Sequence, residues 1–409
     1  MKNGWFILMF IIGPSGLWGQ TLAELERMAL SAPQVRGAEK EVSIRQAEVE
    51  QTRQWGDLQI AGSAFASPIQ TRTGQQIANF SVMQPLPWPG EQRAEKESTM
   101  GRVEAAQARV ALTQAEQVYQ VRLAWLALVD WQQSVTAQEA KVTNLQAWVR
   151  WLESRYEAGE AKLTEVMAQQ TRLRMAEGQL QRLKWEQNRL HAALEQAVGS
   201  NLDSLQVPTG LGEVPVLPLG AKNWETTPWY ARRAGELDAL SAQEKVILWQ
   251  SRPHVALGTQ YGIITPYAEG PEVDNGRDIW MLPQLKVSIP LFFQTTKYEL
   301  TALEAQYQQV ESEYDAQQWA WKTEWTQAQE GYGKGEAIRQ EAQSLMELLE
   351  QQKRLLATEL LQDAQATGAM LQAEEALIEV HWRYQQGLSK QWMAYWQASY
   401  LLADSSQDQ

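Results

Sequence analysis

The amino-acid sequence predicts a mainly α protein with a small β part, built as a duplicated unit in which a strand pair leads into a long helical hairpin. Three observations predict it. A helical lead-in, two short alternating strands ending at a proline, and a very long helical stretch occur twice in the same order. Proline landmarks keep the two copies in step: Pro33 matches Pro228 at an offset of 195 residues, and Pro85-Leu86 matches Pro290-Leu291 at an offset of 205. The second copy therefore carries about ten extra residues, which we assign to the loop between its strands. Finally, four strands cannot close a barrel, and a sheet with two free edges invites pairing with other chains. The chain reads as one stave of an oligomeric tube.

The strands span Leu58 to Ser67 and Gln76 to Leu86 in the first copy, and His254 to Ile264 and Ile279 to Ile289 in the second. In the last of these, Leu285, Val287 and Ile289 alternate with Gln284, Lys286 and Ser288, which gives one apolar and one polar face. Val255, Leu257, Tyr261 and Ile263 make a similar face opposite Gln260, and Ile60, Ala64 and Ala66 a weaker one opposite Gln59, Ser63 and Ser67. Each run is about ten residues, the length a tilted strand needs to cross a bilayer. Four strands are too few for two packed sheets, so Leu285, Val287 and Ile289 are read as facing lipid. Trp88 and Trp280 suit the level of the bilayer interface, which tryptophan prefers.

The helices follow from period and punctuation. From Gly90 to Ala158 there is no proline, and Val118, Val121, Trp125 and Leu128, then Val142, Leu145, Val149, Leu152 and Tyr156, step by three and four as in a coiled coil. A return helix from Glu160 to Val198 repeats by seven at Val166, Leu173, Leu180 and Leu194, with Gln187 interrupting. The second copy has its long helix from Phe292 to Glu359 and its return from Leu371 to Leu402. The lead-ins, Leu22 to Gln54 and Trp229 to Gln250, are about half the length of a long helix. Trp125, Trp131, Trp148, Trp151, Trp319, Trp321 and Trp325 are expected as knobs between neighbouring staves. Gly331, Gly333 and Gly335 are expected to kink or loosen the second long helix, since each costs about 1 kcal/mol against alanine. They are no phosphate loop, because no strand precedes them and no lysine-serine ending comes after.

Residues 1–19 read as a signal peptide, with Lys2, an apolar run from Trp5 to Ile12, and Gly19 before the cut. The first repeat then takes residues 20–206, a proline- and glycine-rich linker 207–220, the second repeat 221–403, and a disordered tail 404–409. With no cysteine, an exported chain has neither disulfides nor a thiolate metal site. The net charge of −13 argues against nucleic acid as a partner. His191, His254 and His381 are isolated and lack ligand spacing. No nucleophile, base and oxyanion set can be assembled, so neither an enzyme nor a cofactor is expected.

Several strings carry a family resemblance. Ser31-Ala32-Pro33-Gln34-Val35-Arg36 opens the first lead-in, and Met83 to Gly90 and Val287 to Phe292 form the two strand-to-helix joints. Arg155-Tyr156-Glu157-Ala158-Gly159, with Leu163-Thr164-Glu165-Val166 after it, resembles a Tyr-x-x-Gly hairpin turn. In this order and spacing they resemble the outer membrane factors of the TolC family over the whole mature chain, most closely the heavy-metal (CusC-like and CzcC-like) branch. The resemblance implies a homotrimer that closes a twelve-stranded barrel in the outer-membrane lipid of a Gram-negative bacterium, continued by a twelve-helix periplasmic tunnel. It implies efflux of small solutes, heavy-metal cations among them, delivered by an inner-membrane RND-type pump through a periplasmic adaptor. The adaptor would dock at Tyr156, Gly159, Glu160, Ala161 and Thr164 on one tip. The other tip is placed between Leu361 and Gly368, with Asp363 and Gly368 as its docking residues, because the string Tyr384 to Gly387 would spoil the match of the long helices. Glu347, Glu350 and Asp363 would line the entrance. An adaptor-type coiled-coil protein and a channel for type I secretion are the other readings, and the cargo stays open.

Overall fold

The computed structural model describes residues 21–202, 207, 210–217, 224–269, 274–290, 293–359 and 366–403. The expected signal peptide and tail lie outside the described residues, as do Leu361, Asp363 and the Leu291-Phe292 end of the second joint. In chain order come α1 (Leu22–Ala29), α2 (Pro33–Gln51), β1 (Gln59–Thr71), β2 (Gly74–Leu86), α3 (Pro89–Glu157) and α4 (Leu163–Val198). A single 3-10 turn (Trp224–Thr226) opens the second copy, and after it come α5 (Pro228–Gln250), β3 (His254–Thr265), β4 (Ile279–Ser288), α6 (Phe293–Glu359) and α7 (Ala366–Leu401). The duplication holds in length as well as order. α3 has 69 residues and α6 67, and α4 and α7 have 36 each. At 1.5 Å per residue the long helices are about 100 Å.

The first lead-in departs from expectation. Instead of one helix from Leu22, the chain breaks at residues 30–32. The Ser31 hydroxyl and amide both donate to the Met28 carbonyl, and Pro33, which has no amide to donate, restarts the helix at its first position. Thr21 closes the start of α1 with a reciprocal capping box to Glu24.

The four strands form one antiparallel sheet in the order β1-β2-β3-β4. Two residues separate β1 from β2 and thirteen separate β3 from β4, which is where the extra length of the second copy lies. The longer loop is tied onto the shorter turn: Gly276 N donates to Thr73 O at 2.6 Å, and the Tyr267 hydroxyl to Thr71 O at 3.0 Å. Prolines inside strands fall where the ladder is irregular or where one side of the strand is unpaired. Pro68 lies in the register shift between Ala64 and Ile69, Pro283 lies between the Met281 and Gln284 pairs, and Pro85 lies past the last β1 to β2 pair, Gln59 with Met83. A residue without an amide donor costs least at such positions.

The chain divides into two compact units. The unit that contains the sheet spans residues 37–110 and 224–318. In it α3 packs on α5 through Ser98, which donates to Ala239 O at 2.9 Å, and α5 meets α6 where Arg233 lies over the Tyr314 ring and pairs with Glu311. The other unit spans residues 1–36, 111–223 and 319–409. There α3 is buried on two sides: Gln138 reaches Ala176 O on α4, while Asn144 reaches Leu371 O on α7. Adjacent pairs such as Val121-Arg122, Trp125-Leu126 and Leu128-Val129 are buried together for that reason. Arg122 is neutralised by Glu26 of α1 at 2.6 Å and lies 5.9 Å from the Trp396 ring centroid. On α4, Val166 and Leu194 are buried, and Leu173 and Leu180 pack on Val142, Leu145 and Ala176.

One expectation about the helices is corrected. Trp125, Trp148, Trp321 and Trp325 are buried inside a single chain, with Trp321 stacked on Trp325 and donating to Leu401 O, so they are not knobs between staves. Trp319, by contrast, is exposed. α6 runs as one helix through Gly331, Gly333 and Gly335. Gly335 lets α6 touch α7, because a Cβ there would lie 2.7 Å from Gly387 O and 2.9 Å from Gln391 N. An equivalent contact joins α3 to α5 at Gly101 and Gly235.

Candidate functional site

Two features have functional geometry, one in each unit. In the sheet, the register aligns Ile60, Val82 and Thr259 across three strands, and Phe80 with Tyr261 and Trp280. Val255 lies opposite Val287, and Leu257 opposite Leu285. Leu285, Val287 and Ile289 are 65%, 50% and 60% exposed, and Ile60, Phe80, Leu257 and Trp280 are exposed with them. An apolar face of this extent left open to solvent marks a surface meant for another apolar phase. The intervening positions are polar, as in Ser63, whose hydroxyl donates to Asn79 Oδ1, and in Gln59, Ser81 and Gln260. Among the described residues, β1 and β4 are each paired on one side only.

The turn between α3 and α4 is the second feature. α3 ends in a Schellman motif: Glu160 N donates to Arg155 O at 2.8 Å, Gly159 N to Tyr156 O at 3.0 Å, and Gly159 has φ +75°. No neighbour lies within 4 Å of the position a Gly159 Cβ would take. Glycine is therefore required here for its backbone conformation alone, and not to avoid a clash with a neighbour. Arg155 pairs with Glu160 at 3.4 Å and lies over the Trp151 ring at 5.3 Å. Ala161 packs on a cluster of Trp148, Leu152, Val166 and Leu371, while Tyr156, Gly159, Glu160 and Thr164 are exposed. Leu163 and Met167 are also exposed apolar residues beside the turn. Neither stands out in the sequence, because both fit the helical period as core.

Of the second hairpin, α6 ends at Glu359 and α7 begins at Ala366. Tyr384 to Gly387 therefore lies in the interior of α7, well away from that turn. Gly368 is helical and sits against the Trp151 ring, where a Cβ would come within 2.8 Å. The first tip thus rests on the second hairpin through Trp151. Glu347 and Glu350 are exposed on α6. Glu350 lines a groove of about 660 Å³ among α3, α6 and α7, together with Lys353, Glu374, Asn144 and His381. Among the described residues there is no cluster of three or more metal-ligating side chains, and no helix is long and apolar enough to cross a membrane.

No protein-family model matches the chain, and no curated protein matches it significantly. Solved structures do. The outer membrane protein VceC from Vibrio cholerae superposes with a TM-score of 0.71 at 20% identity, over 93% of this chain and 96% of that one. CusC superposes with a TM-score of 0.69 at 16% identity over 95% of both chains. The MtrE outer membrane channel of Neisseria gonorrhoeae gives 0.69 at 14% identity, over 93% of this chain and 88% of that one. CusC stands no higher than the others, so the likeness does not single out a heavy-metal branch. Near-complete coverage in both directions makes the shared architecture that of the whole chain: it has the fold of these outer membrane proteins.

Proposed function

We propose that this chain is one third of an outer-membrane efflux channel. The observation that carries the reading is the open four-stranded sheet, with an exposed apolar face and an unpaired edge on either side. Hydrocarbon offers no water to satisfy backbone groups, so a sheet in a membrane must close. Two copies would give eight strands, a barrel whose interior side chains fill; three give twelve and leave a lumen. The helices support repetition too. Leu163, Met167, Met175 and Trp185 on α4, and Leu348 and Leu355 on α6, are exposed large apolar side chains that contact between copies would cover.

In this reading Leu285, Val287 and Ile289 face lipid, and Gln59, Ser63, Asn79 and Gln260 line water. The channel is passive. A periplasmic adaptor docks at the Tyr156 to Thr164 turn and beside Gly368 at the start of α7, and an RND-type pump in the inner membrane drives cargo into the tunnel past Glu347 and Glu350. Small solutes are the cargo class, and the strand-to-helix joints favour metal cations among them. The test is insertion. Val287→Asp places a charge in the apolar band and is expected to weaken assembly in liposomes by about 2 kcal/mol or less, while Lys286→Asp, on the water face, assembles normally. Equal behaviour of the two variants contradicts the assignment of faces.

A further inference from the structure

We propose that Lys286 sets the ion selectivity of the barrel, as a cationic ring at the level where strands give way to helices. The proposal rests on the channel reading and deepens it. Lys286 is the one lysine, arginine, aspartate or glutamate in the four strands. It is exposed and lies opposite Ala256, while Val287 beside it lies opposite Val255. The alternation therefore puts it on the face of Gln59, Ser63, Asn79 and Gln260. Along its row come Ala256 and then Pro85, neither of which can neutralise a lysine. Among the described residues no carboxylate pairs with it. The charges that flank the strands at this end are Asp57 before β1 and Arg252 before β3, both exposed, an acid and a base that offset one another.

Three copies place three such lysines around one lumen, and symmetry puts them at one height. The ammonium group sits on a flexible four-carbon stem and reaches from the wall into the water. The rest of that face is amide, hydroxyl and alanine, so nothing in the strands cancels the field, and charges of one sign lining a passage raise the local concentration of the opposite ion. The net charge of the whole chain, −13, has the other sign, so the ring is a local reversal and not a sample of the average. The consequence is directional. The barrier to a cation is equal from both sides, but outward movement is driven by the pump and return from the medium is not, so the ring acts chiefly against the return of cations.

The test is the reversal potential of the protein in a planar bilayer across a potassium chloride gradient. Lys286→Gln is expected to lower the chloride to potassium permeability ratio by about twofold at about 0.05 M salt, and the difference to vanish near 1 M, where the Debye length is about 3 Å. Lys286→Arg is expected to keep the native ratio. Because the chain has no cysteine, Lys286→Cys gives a single thiol that can be charged after assembly. A cationic methanethiosulfonate is expected to restore the native ratio and an anionic one to push it toward potassium, while Val287→Cys, on the lipid face, responds to neither. This arm decides the matter if Lys286→Gln assembles poorly. A lysine on an edge strand also discourages wrong pairing, and if that is its whole role the substitutions change assembly and leave selectivity unmoved, which overturns the proposal. Conduction with a ratio indifferent to both reagents overturns the ring alone; a native protein that inserts without conducting contradicts the channel reading itself.

Discussion

The string Tyr-x-x-Gly occurs at Tyr156 to Gly159 and again at Tyr384 to Gly387, and the two copies do opposite things. The first ends a helix, with Gly159 exposed at φ +75°. The second runs through the middle of α7, with Gly387 buried against the α6 backbone. The difference lies in the residues just after each glycine. Beyond Gly159 come Glu160, Ala161 and Lys162, none of them buried; beyond Gly387 come Leu388 and Ser389, both buried, and then Gln391, buried as well. A glycine weakens a helix in either place, and continued burial decides whether the helix carries on through it.

Substitution at the two glycines is the sharpest way to break this comparison. Gly387→Val forces a side chain into Gly335 O and the Arg339 backbone, so a loss of about 3 kcal/mol by denaturant titration is expected. Gly159→Val meets no neighbour and bears only the strain of a left-handed conformation, about 1 to 2 kcal/mol, confined to the turn. Gly159→Asn should be close to neutral, since asparagine accepts this conformation. If Gly387 tolerates valine better than Gly159 does, the assignment of one to packing and the other to backbone shape is wrong.

A smaller effect sharpens the buried side of the comparison. Ser389, two residues after Gly387, donates to Asp130 Oδ2 of α3 at 2.7 Å. Burial pushes the Asp130 carboxyl above the ordinary aspartate range, and the serine hydrogen bond only partly opposes this. A carboxyl raised in the folded state favours its protonated form, so its ionised form weakens the fold above the raised pKa. That penalty fades as the pH falls through it. Asp130→Asn should therefore raise the melting temperature at pH 8, and the gain should shrink toward pH 4. A gain independent of pH would mean that the carboxylate is not the cause.

Much of the architecture was legible in the sequence because it is written in period and punctuation. The alternation at Leu285, Val287 and Ile289 set the strand, the steps from Val118 to Leu152 set α3, and the offset of Pro290 from Pro85 located the extra residues. The features that were not legible depend on partners distant in sequence. Nothing near Gly335 announces Gly387, and the glycine triplet reads as a kink because the close approach of a second helix is invisible locally. Trp321 and Trp325 read as contacts between chains for the same reason. At the tip, the turn at Gly159 was legible from its own string, whereas Leu163 and Met167 fit the core period and are exposed because, among the described residues, no helix covers that side of α4.

The central claim is that the open sheet is completed by copies of itself in a membrane. Its most direct test is the mass and location of the mature protein, extracted in mild detergent from the envelope of a Gram-negative host and then placed in a planar bilayer. A trimer found in the outer-membrane fraction, which conducts ions once reconstituted, is the result expected. A soluble monomer in the periplasmic fraction would contradict it.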